Sequence, residues 1–109
     1  MIKLCDLSEI EPDTSKGFEL ETGEALFVVE HDGAYFCYRN KCPHLGVELN
    51  YEEDRFLDME GALIQCSTHA ALFLINSGEC VAGPCQGKFL EPIAYQVKDQ
   101  ALYISISPS

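Results

Sequence analysis

The amino-acid sequence predicts an all-β protein, an antiparallel β sandwich or barrel framework that carries a small loop-rich subdomain. Three observations lead there. Turn signals recur at short intervals, at Glu21-Thr22-Gly23, Asp32-Gly33, Met59-Glu60-Gly61, Asn76-Ser77-Gly78, Gln86-Gly87 and Lys98-Asp99-Gln100. The segments between them are brief and β-prone, at residues 25–29, 34–38, 62–66, 71–75, 94–97 and 101–106. No stretch of a dozen residues holds a helical period free of Gly and Pro, so no long helix is expected.

In chain order, Asp32-Gly33 separates the first two segments and is a strong hairpin signal, because both residues tolerate the left-handed backbone of a two-residue turn. The last two segments, joined by the polar Lys98-Asp99-Gln100, predict a second hairpin. Many short strands with regular turns suit a sandwich or barrel. The middle of the chain differs from its ends. Four of the six cysteines and two of the three histidines fall between Lys41 and Gly87, whereas three of the five prolines lie outside that stretch. Residues 1–40 and 88–109 therefore read as the two halves of a β framework, and residues 41–87 as the insertion that carries the chemistry. The 109 residues are expected to form a single domain, since the length leaves no room for a second independent core.

Composition excludes several functions. Seven basic residues against eighteen acidic ones give a net charge of −11, which cannot neutralise a phosphate backbone and is repelled by an anionic membrane. The partner that suits such a surface is a protein with a basic patch, met by electrostatic steering; solubility alone is the other reading of the charge. No apolar run approaches the roughly 20 residues of a membrane span. The start Met1-Ile2-Lys3-Leu4-Cys5-Asp6 does not resemble a signal peptide, so a cytoplasmic protein is expected. Six cysteines there read as metal ligands or reduced thiols, not as a disulfide framework.

Two mixed pairs stand out, Cys42-Pro43-His44 and Cys66-Ser67-Thr68-His69. Each sets a thiolate and an imidazole on a tight loop, where both can turn toward one point. Four such ligands can hold one tetrahedral metal ion or a two-iron cluster. Structural zinc sites usually pair like with like. One Cys and one His per loop instead suits an asymmetric cluster, with both thiolates on one iron and both imidazoles on the other.

These residues resemble the Rieske signature, C-x-H followed by C-x-x-H, which binds a [2Fe–2S] cluster. The similarity extends to Leu45-Gly46, Phe73 and Gly78-Glu79, and to Gly83-Pro84, which matches the proline loop that shields the cluster in Rieske proteins. It covers nearly the whole chain, which ends where a stand-alone Rieske ferredoxin should. The resemblance implies one cluster per chain, with Cys42 and Cys66 on the buried iron and His44 and His69 on the outer one. It also implies a one-electron carrier working between a flavin-dependent reductase and a terminal oxygenase with basic docking surfaces. The alternatives are the small redox subunit of a nitrite-reductase-like complex, a redox or iron sensor, and a zinc-stapled interaction module. One departure is the 21 residues between His44 and Cys66, a few more than usual, with the excess expected as an enlarged hairpin at residues 50–61.

Respiratory Rieske proteins carry a disulfide between their ligand loops; the matching positions here are Val47 and Thr68, which cannot form it. Their Ser and Tyr donors to the cluster sulfurs are matched by Ala71 and Phe73, which lack a hydroxyl. Missing donors and local acidic charge both disfavour the reduced state. A potential near the low end of the Rieske range, roughly −150 mV, is expected.

The remaining candidates have simpler readings. Cys80 and Cys85 are expected as packed thiols; a disulfide between them is geometrically open but disfavoured in a reducing compartment. Cys5 and Cys37 are expected in the core, and His31 as a solvent-exposed turn histidine. The acids Glu48, Glu52, Glu53, Asp54, Asp58 and Glu60, set against Arg55, form a solvated face or a docking surface. The sequence shows no nucleophile–base pair, phosphate loop or paired-carboxylate site, so catalysis by the chain alone is not expected.

Overall fold

A computed structural model describes residues 2–41, 43, 49, 56–58, 61–66 and 71–105. Among these residues the chain forms nine strands: β1 (Ile2–Asp6), β2 (Ser15–Glu19), β3 (Ala25–His31), β4 (Ala34–Arg39), β5 (Leu63–Gln65), β6 (Leu72–Leu74), β7 (Cys80–Ala82), β8 (Ala94–Lys98) and β9 (Ala101–Ser105). The one helical element among them is a single 3₁₀ turn, Leu7–Glu9. The strands make three antiparallel three-stranded sheets, ordered β1-β9-β8, β2-β3-β4 and β5-β6-β7. The expected sandwich or barrel thus takes the form of three small sheets.

Both hairpins form. His31 pairs with Ala34 across Asp32-Gly33, whose φ angles of 52° and 80° are both left-handed, as a two-residue turn between right-twisted strands requires. The second turn is tighter than expected. Lys98 pairs with Ala101, so the turn is Asp99-Gln100 alone, and both residues take positive φ without a glycine.

The sequence places Cys5 in a β-like segment without bounds, which is β1, and leaves β2 and β7 unmarked. In β2, Ser15-Lys16-Gly17-Phe18-Glu19 has a single large apolar side chain, and full register with β3 makes it a strand. β1 pairs with β9 through a shift between Lys3 and Cys5, so a strand near one end of the chain is defined by one near the other. The segments expected at 62–66 and 71–75 are shorter, because Cys66 and Ala71 form the base of the loop between β5 and β6. The hairpin expected at residues 50–61 lies largely outside the described residues. Of its described residues, 56–58 and 61, Leu57 bridges Ile64, and on either side the Asp58 N–H donates to the Leu63 carbonyl and the Phe56 carbonyl accepts from the Gln65 N–H, both at 2.9 Å.

Strand β3 organises the interior, because successive side chains point to opposite faces. Leu26 and Val28 enter one core with Cys5, Ile10, Cys37, Ile93, Leu102 and Ile104. Phe27 and Val29 enter a second core with Leu49, Phe56, Ile64, Cys66, Phe73 and Leu90. In that second core Phe27 stacks on Phe56 with ring centroids 4.4 Å apart and planes within 6°. From β4, the Tyr38 hydroxyl donates to the Ile75 carbonyl at 2.6 Å, fastening the third sheet to the second.

Candidate metal centre

Two loop bases and a third loop converge at the end of the small sheet. β5 delivers Cys66, which is fully buried, and the Cys66 N–H donates to the Ala71 carbonyl at 2.9 Å. That bond closes the loop holding Ser67, Thr68, His69 and Ala70, all outside the described residues. The other loop leaves β4 at Arg39. The buried Asn40 takes its place there through its own N–H, which donates to the Ala25 carbonyl at 3.0 Å. Its side-chain Oδ1 accepts from the N–H of Leu49 at 2.7 Å, so one amide spans the loop that contains Cys42 and His44. Arg39 is held in turn by Glu24 and Glu91, which receive its guanidinium from two sides.

The third loop follows β7. Gly83 lies against Ala71 so closely that a Cβ on it would sit 2.7 Å from the Ala71 Cα. Only a glycine allows this approach, and its φ of +99° is also one that L-residues avoid. The Gly83-Pro84 turn therefore rests on the base of the second loop, where the sequence places the proline loop.

Of the four expected ligands the structure places Cys66; Cys42, His44 and His69 lie outside the described residues. Among the described residues no group of three or more His, Cys, Asp or Glu could hold a metal ion. The described part of the site suits an iron–sulfur cluster: a buried thiol at the mouth of a closed hairpin loop, backed by apolar side chains and covered by a glycine turn. Ala71 and Phe73 are fully buried, and neither offers a hydroxyl.

The other candidates are also placed. Cys5 and Cys37 are core residues, as expected. Cys80 and Cys85 are buried and in contact with each other. His31 sits at the turn as expected, the last residue of β3 directly before Asp32-Gly33, with a side chain 39% exposed that lies near the carboxylates of Asp13 at 3.7 Å and Asp32 at 3.5 Å. The sequence reading missed Asn40. The available signal was a short amide side chain two residues before Cys42 at a strand end.

An all-β chain with a buried cysteine at the base of a closed loop, against which a glycine–proline turn is seated, is the architecture that the described residues show. The family model for the Rieske [2Fe–2S] domain matches residues 1–100. The chain belongs to that family, and the [2Fe–2S] cluster is its cofactor. It is similar to the ferredoxin component of the p-cumate 2,3-dioxygenase system of Pseudomonas putida, 29% identical over 86 residues, covering 79% of this chain and 70% of that protein. Among solved structures it resembles the ferredoxin of Sphingomonas yanoikuyae B1, with a TM-score of 0.78 and 25% identity over 97% of this chain and 98% of that one. It also superposes on a chain from the complex of reduced oxygenase and oxidized ferredoxin in carbazole 1,9a-dioxygenase. The TM-score there is 0.77, at 23% identity over 95% of this chain and 91% of that chain.

Proposed function

We propose that this chain is the ferredoxin of a multicomponent oxygenase, taking one electron at a time from a flavin-dependent reductase and delivering it to a terminal oxygenase. The observation that carries this reading is the closed Cys66–Ala71 loop base with the glycine–proline turn seated on it. Residues 41–87 carry the cluster, and residues 1–40 and 88–109 form the framework. Cys42 and Cys66 would hold one iron as thiolates, and His44 and His69 would hold the other through their imidazoles. When bound, the cluster supplies a reversible one-electron couple. The protein's own part is to fix the two loops, keep water from the sulfurs and set the local charge. With no hydroxyl on Ala71 or Phe73 and an acidic surface, the couple sits near the low end of the Rieske range, roughly −150 mV. The surface of net charge −11 meets basic docking faces on both partners, in the cytoplasm. Among the described residues no helix is long and apolar enough to cross a membrane.

Electron paramagnetic resonance on the dithionite-reduced protein, with iron and zinc quantified on the same sample, tests this. A rhombic signal of mixed Cys/His ligation with about two irons per chain supports the reading. A silent sample holding about one zinc per chain after anaerobic reconstitution overturns it. Cys66→Ser is expected to abolish cluster binding, whereas His44→Cys should keep a cluster with an altered spectrum.

A further inference from the structure

Cys80 opens β7, and Cys85 follows it by five residues, just past the Gly83-Pro84 turn. Their sulfurs are 2.8 Å apart, with the Cys85 thiol donating to Cys80. Only a covalent bond, about 2.05 Å long, brings two sulfurs substantially closer. The backbone around them is already closed: the Cys80 N–H donates to the Lys88 carbonyl and the Lys88 N–H to the Cys85 carbonyl, both at 2.9 Å. Both thiols are nearly inaccessible, at 2% and 1% exposure, yet Gly83, Pro84, Gln86 and Gly87 around them are exposed. A small oxidant needs only a local opening of that turn, whereas a bulky thiol reagent is kept out. Cys80 also pairs across the small sheet with Phe73, and the turn it anchors presses on Ala71.

We propose that Cys80 and Cys85 are a reversible redox pair, converted by hydrogen peroxide to a disulfide that locks the Gly83-Pro84 turn onto the base of the second ligand loop. One sulfur attacks a peroxide oxygen; the O–O bond breaks, a sulfenic acid forms, and the departing oxygen takes up a proton to leave as water. The second sulfur attacks the sulfenic sulfur; the S–S bond forms, the S–O bond breaks, and the hydroxyl leaves as water with the second thiol proton. Two electrons pass from the sulfurs to the peroxide oxygens, and a dithiol reductant returns them. In a reducing compartment the pair rests as thiols, so the lock closes only under oxidative load. The pair shares a buried core cluster with Cys66, but its chemistry does not depend on the electron-carrier reading.

The test uses the full chain with its cluster, treated with equimolar hydrogen peroxide, then denatured, alkylated, digested and weighed. The expected product is a peptide lighter by two hydrogens, with Cys80 and Cys85 joined and protected from alkylation. Alkylated cysteines should fall by two from the six the chain carries, and dithiothreitol should restore them. Proteolytic cleavage after the exposed Lys88 should slow several-fold in the oxidised form. In Cys80→Ser, Cys85 should stay alkylatable under the same treatment; if that variant does not fold, the wild-type masses decide alone. Paramagnetic resonance on the same sample reports the cluster separately, so a lost cluster is distinguishable from a missing disulfide. The proposal is overturned if both thiols remain alkylatable, if either joins Cys42 or Cys66, if oxidation stops at sulfinic acid, or if cleavage after Lys88 is unchanged.

Discussion

Asn40 shows how one side chain can fasten the two ends of a loop. Its buried Oδ1 receives the Leu49 N–H at 2.7 Å, tying the far end of the first ligand loop back to the end of β4. Asn40→Ala leaves that N–H without its acceptor, at a cost of about 1–3 kcal/mol. A lower melting temperature is expected, with faster iron loss to a chelator, because the loop carrying Cys42 and His44 loses its clasp. Gly83 acts through space rather than through a bond. Gly83→Ala meets the Ala71 backbone at 2.7 Å in addition to the strain of φ +99°. Gly87→Ala has nearly the same φ, +89°, with nothing within 4 Å. The second substitution should cost on the order of 1 kcal/mol, the usual scale of backbone strain. The first should cost clearly more and release the cluster faster, as parallel thermal melts and iron-release rates will read.

At the scale of elements, β3 joins the two cores, and the framework core holds two thiols. Burial pushes the Cys37 thiol up to about 12 from its ordinary 9.0, with the nearby Cys5 adding to the shift. Burial raises Cys5 to about 11, helped by the carboxylates of Glu9 and Asp6. The fold prefers the protonated thiols and binds those protons more tightly than the unfolded chain does. This contribution is therefore complete below pH 9 and is lost as pH rises through about 11 to 12. Denaturant midpoints should fall progressively above pH 9, and Cys37→Ala should flatten that decline. The hairpins illustrate a second element-scale point. Asp32-Gly33 was legible as a turn because its chemistry is local. The tighter Asp99-Gln100 turn was not, because pairing of Lys98 with Ala101 pulled Lys98 into the strand.

At the scale of the whole molecule, the proposed docking rests on charge. A net charge of −11 on 109 residues would be attracted at long range to a basic docking face. Salt shortens its reach from roughly 30 Å at 0.01 M to about 8 Å at 0.15 M. The bimolecular rate of electron delivery to the oxygenase should fall several-fold across that range in stopped-flow mixing. The unimolecular transfer step within the bound complex should stay unchanged. A rate indifferent to salt would remove the acidic surface from the docking scheme.

The β-class, the Asp32-Gly33 hairpin, the Rieske resemblance and the acidic charge were determined by the sequence alone, since each is a property of composition or of residues close along the chain. The small apolar content of β2 hid a strand that exists through its register with β3, and β1 needed β9 to define it. Tertiary structure alone decided that Gly83 presses on Ala71 and that the Cys80 and Cys85 sulfurs meet. It also decided that Asn40 clasps Leu49. These contacts are distances between backbones and side chains folded over one another. Short-range pattern does not encode them, and packing does.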